Sequence, residues 1–239
     1  MCIRDRGIIE NAPDIASVNV SPEGFATKIY DSDENEIQTL SSAGANRTYV
    51  TIDQIPKDLQ HAFIAIEDER FYEHNGIDMR GILRAASITL SSGEMSQGAS
   101  TITQQLLKNN VFNAFNESTI EKIKRKVQEQ YLAIKLETVM SKDAILENYL
   151  NTINLGNGYY GVQSAARGYF NKDVSELSIS ECAVIASITK SPTGLNPIRH
   201  ADRNKDRQSQ VLLNMKEQEY ISQEEYDEAV SDDVYARLE

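Results

Sequence analysis

The chain has no tryptophan, two cysteines, three histidines and five prolines in 239 residues. Each shortage excludes something. Cys2 and Cys182 cannot build the disulfide framework that staples small secreted domains. Cys182 lies in the apolar run Cys-Ala-Val-Ile-Ala-Ser-Ile and reads as a small buried hydrophobe. No two of His61, His74 and His200 have the spacing of a metal-binding helix. No apolar run approaches the roughly 18 residues of a membrane span, and no signal peptide is visible. Positive charge is also short: 24 Lys and Arg stand against 36 Asp and Glu, a net charge of −12. Nucleic-acid binding needs a basic footprint, so no nucleic-acid partner is expected. The opening Met-Cys-Ile-Arg-Asp-Arg-Gly leads into no recognisable element. The expectation is a chain that starts inside a longer protein, with any membrane anchor outside this segment.

What is present is an ordinary globular composition, 40% hydrophobic and 25% charged, long enough for one large domain or two small ones. Residues 1–50 are polar and turn-rich. Within them Lys28–Tyr30 and Glu36–Leu40 read as a short hairpin with its turn at Asp31–Asn35. From Ile52 onward the spacing of apolar residues is helical, with an Asp53 cap and an early Pro56 before Leu59, Ala62, Phe63 and Ile66. Further helices are predicted over 80–90, 101–108, 120–140, 142–151, 162–169, 178–187, 202–218 and 223–230. The fold class is therefore mainly α, one domain over 51–239 behind a β-containing lead-in over 1–50.

Three motifs look informative and fail on context. Gly156–Gly161 matches the dinucleotide pattern, but it follows a helix and no βαβ alternation surrounds it. Asp31–Glu36 resembles a calcium loop, yet the sixth position is Glu36 instead of Gly and the twelfth is Ser42 instead of Glu. Ser187-Ile188-Thr189-Lys190 matches Ser-x-x-Lys, but the Lys-Thr-Gly of acyl-transferases is absent. It reads as the structural end of an apolar helix.

A different set of residues carries chemistry. Glu67 has Phe63 and Phe71 as its i−4 and i+4 neighbours. On a helix they leave this carboxylate partly desolvated and suited to proton transfer. Asp68 and Glu69 have more polar surroundings. Gly98–Asn109 packs Ser100, Thr101, Thr103, Gln104, Gln105 and Lys108 into one stretch. Ser100 is a fair N-cap, and a helix opened by small residues binds anions at its free N–H groups. In Glu121–Glu137 a basic cluster of Lys122, Lys124, Arg125 and Lys126 interrupts the acidic background. Arg125 and Lys126 share a face with Glu129 and would keep it ionised. Two differently tuned carboxylates recur in glycosyl chemistry, and the cations point to a phosphorylated leaving group.

These segments, in this order, resemble glycosyltransferase family 51, the peptidoglycan glycosyltransferase (transglycosylase) module of class A penicillin-binding proteins. The resemblance runs from about Thr51 to Met215. It rests on Glu67–Gly76, Gly98–Leu106, Arg125–Glu129, Lys142–Phe170 and Leu177–Pro197. It implies a lysozyme-like helical fold with a head lobe and a membrane-touching jaw, the jaw corresponding to residues 77–98. It implies that Glu67 is the general base for lipid II polymerisation into glycan strands, with inversion and release of polyprenyl diphosphate. Glu129, beside Arg125 and Lys126, would hold the diphosphate directly or through Mg2+ or Mn2+. Ser100, Gln105 and Lys108 match the donor side, and Asn196 and Arg207 would bind substrate. The family usually has a basic residue two turns before the second glutamate; here Glu121 stands there, with Lys122 next to it. The implied setting is the outer face of the bacterial cytoplasmic membrane, with a transpeptidase domain expected in the parent chain. Two rivals remain: a lysozyme-like hydrolase, which needs no diphosphate site, and a non-catalytic helical scaffold, which needs neither acid.

Overall fold

A computed structural model describes residues 3–22, 24, 27–32, 36–40, 47–92, 99–112 and 117–239. The middle of the expected hairpin turn and the end of the expected jaw segment, 93–98, lie outside the described residues. In chain order the elements are α1 (Ile3–Glu10), β1 (Thr27–Tyr30), β2 (Glu36–Leu40), α2 (Lys57–Glu67), α3 (Met79–Ser92) and α4 (Ile102–Asn110). They continue with α5 (Thr119–Val139), α6 (Lys142–Thr152), α7 (Val162–Phe170), α8 (Ile179–Ser187), α9 (Ala201–Glu217) and α10 (Gln223–Ser231). The protein is mainly helical, as expected. Its hairpin is antiparallel, pairing Thr27 with Leu40 and Ile29 with Gln38, with a register shift before Tyr30.

Three helix starts were written into the sequence as Ser-x-x-Glu. Ser118, Ser178 and Ser222 each accept from the backbone N–H three residues on, and Glu121, Glu181 and Glu225 reach back to the cap N–H. Each such box satisfies two orphan donors, at about 1 kcal/mol per cap. The start of α2 differs from expectation. Asp53 lies in a 3-10 turn over Ile52–Gln54, and the helix opens only after Pro56. Proline holds the residue before it extended, which Ile55 is (φ −87°, ψ 122°), so no helix runs from Asp53 through this point.

The chain divides into two compact units: Met1–Ser21 with Arg70–Tyr149, and Pro22–Glu69 with Leu150–Glu239. In the first, α5 is the spine, with α1 and α4 against it. Ile102, Leu106 and Leu107 of α4 and Leu132, Ala133 and Leu136 of α5 are buried. The helix α1 was not expected, because its few apolar residues alternate with charge. It is tied to α5 by the Gln128 amide, which donates to the Ile8 carbonyl.

One backbone crossing in this unit is tight. Gly76 has φ +85°, and a Cβ there would lie 2.5 Å from the Ala133 carbonyl carbon. Its own carbonyl accepts from the Thr101 hydroxyl (2.8 Å) and the Gln104 amide (3.2 Å). Gly76→Ala is expected to destabilise the protein by about 3 kcal/mol, combining a left-handed non-glycine residue with overpacking against backbone. Urea unfolding of the variant against the parent measures it, and an unchanged midpoint would refute the crossing.

In the second unit α8 is mostly apolar and buried on every face: Cys182, Ala183, Val184, Ile185 and Ala186 are all fully buried. A helix with no polar face must be surrounded, and α2, α7, α9 and α10 do so. Cys182 is the buried residue the sequence reading expected, and burial pushes its thiol well up from the ordinary range. The one buried charge of α8, Glu181, is held by Lys172 (2.8 Å) and Arg237 (3.1 Å). Burial opposes its ionisation, but these partners and the Ser178 N–H keep its carboxyl below the usual range. Residues 47–50 join the same unit: the Val50 N–H donates to the Asn151 side chain, whose amide returns a bond to the Val50 carbonyl.

Candidate active site

The residues singled out from sequence fall into two clusters, one in each unit. In the first unit α4 opens at Thr101, whose hydroxyl accepts from the Gln104 N–H. Ser100 is therefore not the cap. Its hydroxyl instead accepts from the Lys126 ammonium at 2.6 Å. Lys126 also donates to Gln104 (3.0 Å) and to Glu129 (3.2 Å). Gln104 is the relay here, with its oxygen on Lys126 and its amide on Gly76. Gln105, the residue expected, bonds to Tyr149 and to the Ser100 carbonyl. Along a helix the two glutamines point about 100° apart, so spacing alone could not choose between them. Lys108 is exposed on the last turn of α4 and makes none of these contacts.

Glu129 is 1% exposed, and its two oxygens are engaged by Arg125 and Lys126. Arg125 is also held by both oxygens of Glu117 at 2.9 Å. Burial alone would push its guanidinium down, but the bonds to Glu117 and Glu129 outweigh that and raise it above the ordinary value. Glu117 was missed because it precedes α5 and shares no helical face with Arg125. Glu121, where a basic residue was expected, closes the α5 capping box with Ser118. Lys126 keeps a side-chain exposure of 39%. Of the two cations on Glu129 it is the more accessible, Arg125 keeping 15%.

Glu129 was expected to hold the diphosphate directly or through a divalent metal. Among the described residues no group of three or more His, Cys, Asp or Glu is placed to hold a metal ion. A divalent cation at Glu129 would have to displace two positive side chains. The donor set does not fit Mg2+ or Mn2+.

In the second unit Glu67 is the last residue of α2. Asp68 breaks the helix (φ −158°, ψ 69°), so Phe71 is not its i+4 helical neighbour as expected. Phe63 remains one turn back and fully buried. The Ala65 carbonyl, an orphan of the last turn, accepts from the Asn214 and Gln218 amides of α9. That fixes the helix end which carries Glu67. The carboxylate is half-buried and accepts from the Thr189 hydroxyl at 2.6 Å. Asp68, expected in polar surroundings, is only 5% exposed, whereas Glu69 is exposed. Arg207 of α9 is half-buried, and its Nε has no hydrogen-bond partner. Burial pushes its guanidinium below the ordinary value, against the attraction of Glu67.

Asn196 was expected to bind substrate. It is 2% exposed. Its amide donates to Asn157 and the Tyr169 hydroxyl, and its oxygen accepts from the Ile198 and Arg199 N–H groups. All of its hydrogen-bonding capacity serves the surrounding loops. One of those loops is the apparent dinucleotide motif. Gly156, Asn157 and Gly158 all have positive φ there, and Asn154 pairs with Tyr160 across the turn. It is a tight turn before α7, as its sequence context required.

The chain is mainly helical, with a half-buried carboxylate in one unit and a cationic cradle in the other. The family model described as Transglycosylase matches residues 33–216, and the chain belongs to that family, glycosyltransferase family 51. It is 43% identical over 231 residues to penicillin-binding protein 1A of Escherichia coli, covering 97% of this chain and 26% of that protein. It is 44% identical over 200 residues to penicillin-binding protein 1F of Bacillus subtilis, covering 84% and 27%. A crystal structure of penicillin-binding protein 1A from Haemophilus influenzae matches with a TM-score of 0.47 and 26% identity, over 87% of this chain and 20% of that one. The chain thus spans about a quarter of the length of the curated relatives it matches. None of the described helices is long and apolar enough to cross a membrane.

Proposed function

We propose that this domain polymerises lipid II into peptidoglycan glycan strands. The observation that carries the reading is the Lys126 ammonium, held by Ser100, Gln104 and Glu129 just before the N-terminus of α4. A partly exposed cation beside a helix N-terminus is a site for an anion, here the diphosphate of the lipid-linked donor. Glu67 takes the proton from the 4-hydroxyl of the acceptor sugar. The freed oxygen attacks C1 of the growing chain on the face opposite the diphosphate. The C1–O bond breaks with inversion, and its electron pair leaves on the diphosphate oxygen, whose charge Lys126 meets.

The lipid tails call for an apolar surface. On α3, Met79 and Leu83 are 61% and 67% exposed, with Arg80 and Arg84 exposed beside them. Apolar residues with flanking arginines suit the headgroup region of an anionic leaflet. The setting is the outer face of the cytoplasmic membrane, with an anchor and a transpeptidase domain as parts of the parent protein.

Incubation with lipid II tests the reading. Long glycan strands are expected. Cleavage of preformed glycan in their place would indicate a hydrolase, which needs no diphosphate cradle, and turnover of neither substrate would leave a scaffold.

A further inference from the structure

The segment set aside as an acyl-transferase look-alike holds a residue with a different role. The helix α8 ends at Ser187, and a 3-10 turn over Ile188–Lys190 follows directly. The tighter winding rotates Thr189 away from where a continued α-helix would put it. Its hydroxyl lies 2.6 Å from Glu67 Oε1 and 2.9 Å from the Ala186 carbonyl oxygen. A hydroxyl has one hydrogen to donate, so these two acceptors compete for it.

We infer that Thr189 is a positioning residue for Glu67: its hydroxyl orients the ionised carboxylate by donating to Oε1, and turns to the Ala186 carbonyl when Glu67 takes a proton. The inference rests on the reading of Glu67 as the base and names the group that serves it. A donor aimed at the carboxylate favours its ionised form, which is the form that accepts the acceptor sugar's proton. Once that proton arrives, Thr189 Oγ1 can accept a hydrogen bond from the new carboxyl O–H while donating to Ala186. No backbone movement is needed for the switch. The other charged and titratable groups near this helix end are few. Asp58, His61, Asp68 and Glu69 lie on or just beyond α2, Lys190 on the turn and Arg207 on α9. On α8, Glu181 is held by Lys172 and Arg237, and the Cys182 thiol is neutral. Of these, Arg207 is attracted by Glu67.

The test is the pH profile of lipid II polymerisation by the whole chain, for the parent, Thr189→Val, Thr189→Ser and Glu67→Gln, with melting temperatures as a folding control. Thr189→Val is expected to lower kcat about tenfold with KM nearly unchanged, the loss of one hydrogen bond to a charged group. The acid limb of kcat should move to higher pH, because the ionised carboxylate has lost a donor. Thr189→Ser should restore both. Thr189→Ala, which removes the hydroxyl without setting a methyl against Glu67, is read by the same criteria if the valine variant folds poorly. Activity retained by Glu67→Gln would overturn the base assignment itself. An inactive Glu67→Gln with a parental kcat and pH profile in Thr189→Val would overturn only the role of Thr189. Equal losses in the valine and serine variants with an unmoved acid limb would also overturn it, leaving a merely structural threonine.

Discussion

Glu67→Gln is expected to abolish glycan polymerisation while the domain stays folded. General base catalysis contributes about 10²- to 10⁴-fold, and an amide cannot accept the proton at all. The fold should survive because the substitution keeps the shape of the side chain. The glutamine oxygen still accepts from Thr189, and Glu67 sits half-buried at a helix end, outside the packed core of α2. The stability change should stay within about 1 kcal/mol, as for other substitutions that leave packing intact. Initial rates of strand formation and a thermal melt together check the claim. A rate within tenfold of the parent would sink the base assignment, and a collapsed melting transition would mean that the loss of activity says nothing about chemistry.

The second large effect is expected at Lys126. Lys126→Ala removes an ammonium that donates to Ser100, Gln104 and Glu129. It does not strand a buried charge, because Glu129 keeps its bond to Arg125. The cost in stability should therefore be about 1–2 kcal/mol, well short of the 3–5 kcal/mol of a broken buried pair. The cost in function should be larger. Removing one preorganised group that meets developing charge lowers rates by about 10²- to 10³-fold. The loss should appear in kcat/KM for the lipid-linked donor at low concentration. Lys126→Arg should rescue it poorly, since a planar fork does not replace a point charge with three separately aimed donors. A parental rate at low donor concentration would remove Lys126 from the donor site.

The sequence was a good guide wherever the signal is local. Helix periodicity located α5, α8 and α10 to within a residue or two of their ends. The i, i+3 and i, i+4 relations of Lys126 and Arg125 to Glu129 hold, because one helix carries all three side chains. The same kind of rule failed for Phe71, where α2 ends at Glu67 and helical spacing loses its meaning beyond Asp68. It failed also for Asp53, where Pro56 delays the helix, and for α1, whose few apolar residues are too interleaved with charge to mark a face.

Contacts between distant segments were out of reach. Gln104 and Gln105 are equivalent in sequence, and only the placement of α5 against α4 makes Gln104 the partner of Lys126. The bonds of the Asn196 amide to Asn157 and the Tyr169 hydroxyl are likewise contacts that no local spacing announces. The meeting of Thr189 with Glu67 spans 122 positions. It depends on a 3-10 turn that follows α8 and on the packing of α2 beside it. Sequence by itself determined most of the helices, the acids and the cations, because these follow from backbone propensity and from neighbours within one turn. The tertiary structure alone decided which hydroxyl faces Glu67 and which amide and hydroxyl hold Lys126. Those partners lie on different elements, and only packing brings them within hydrogen-bond range.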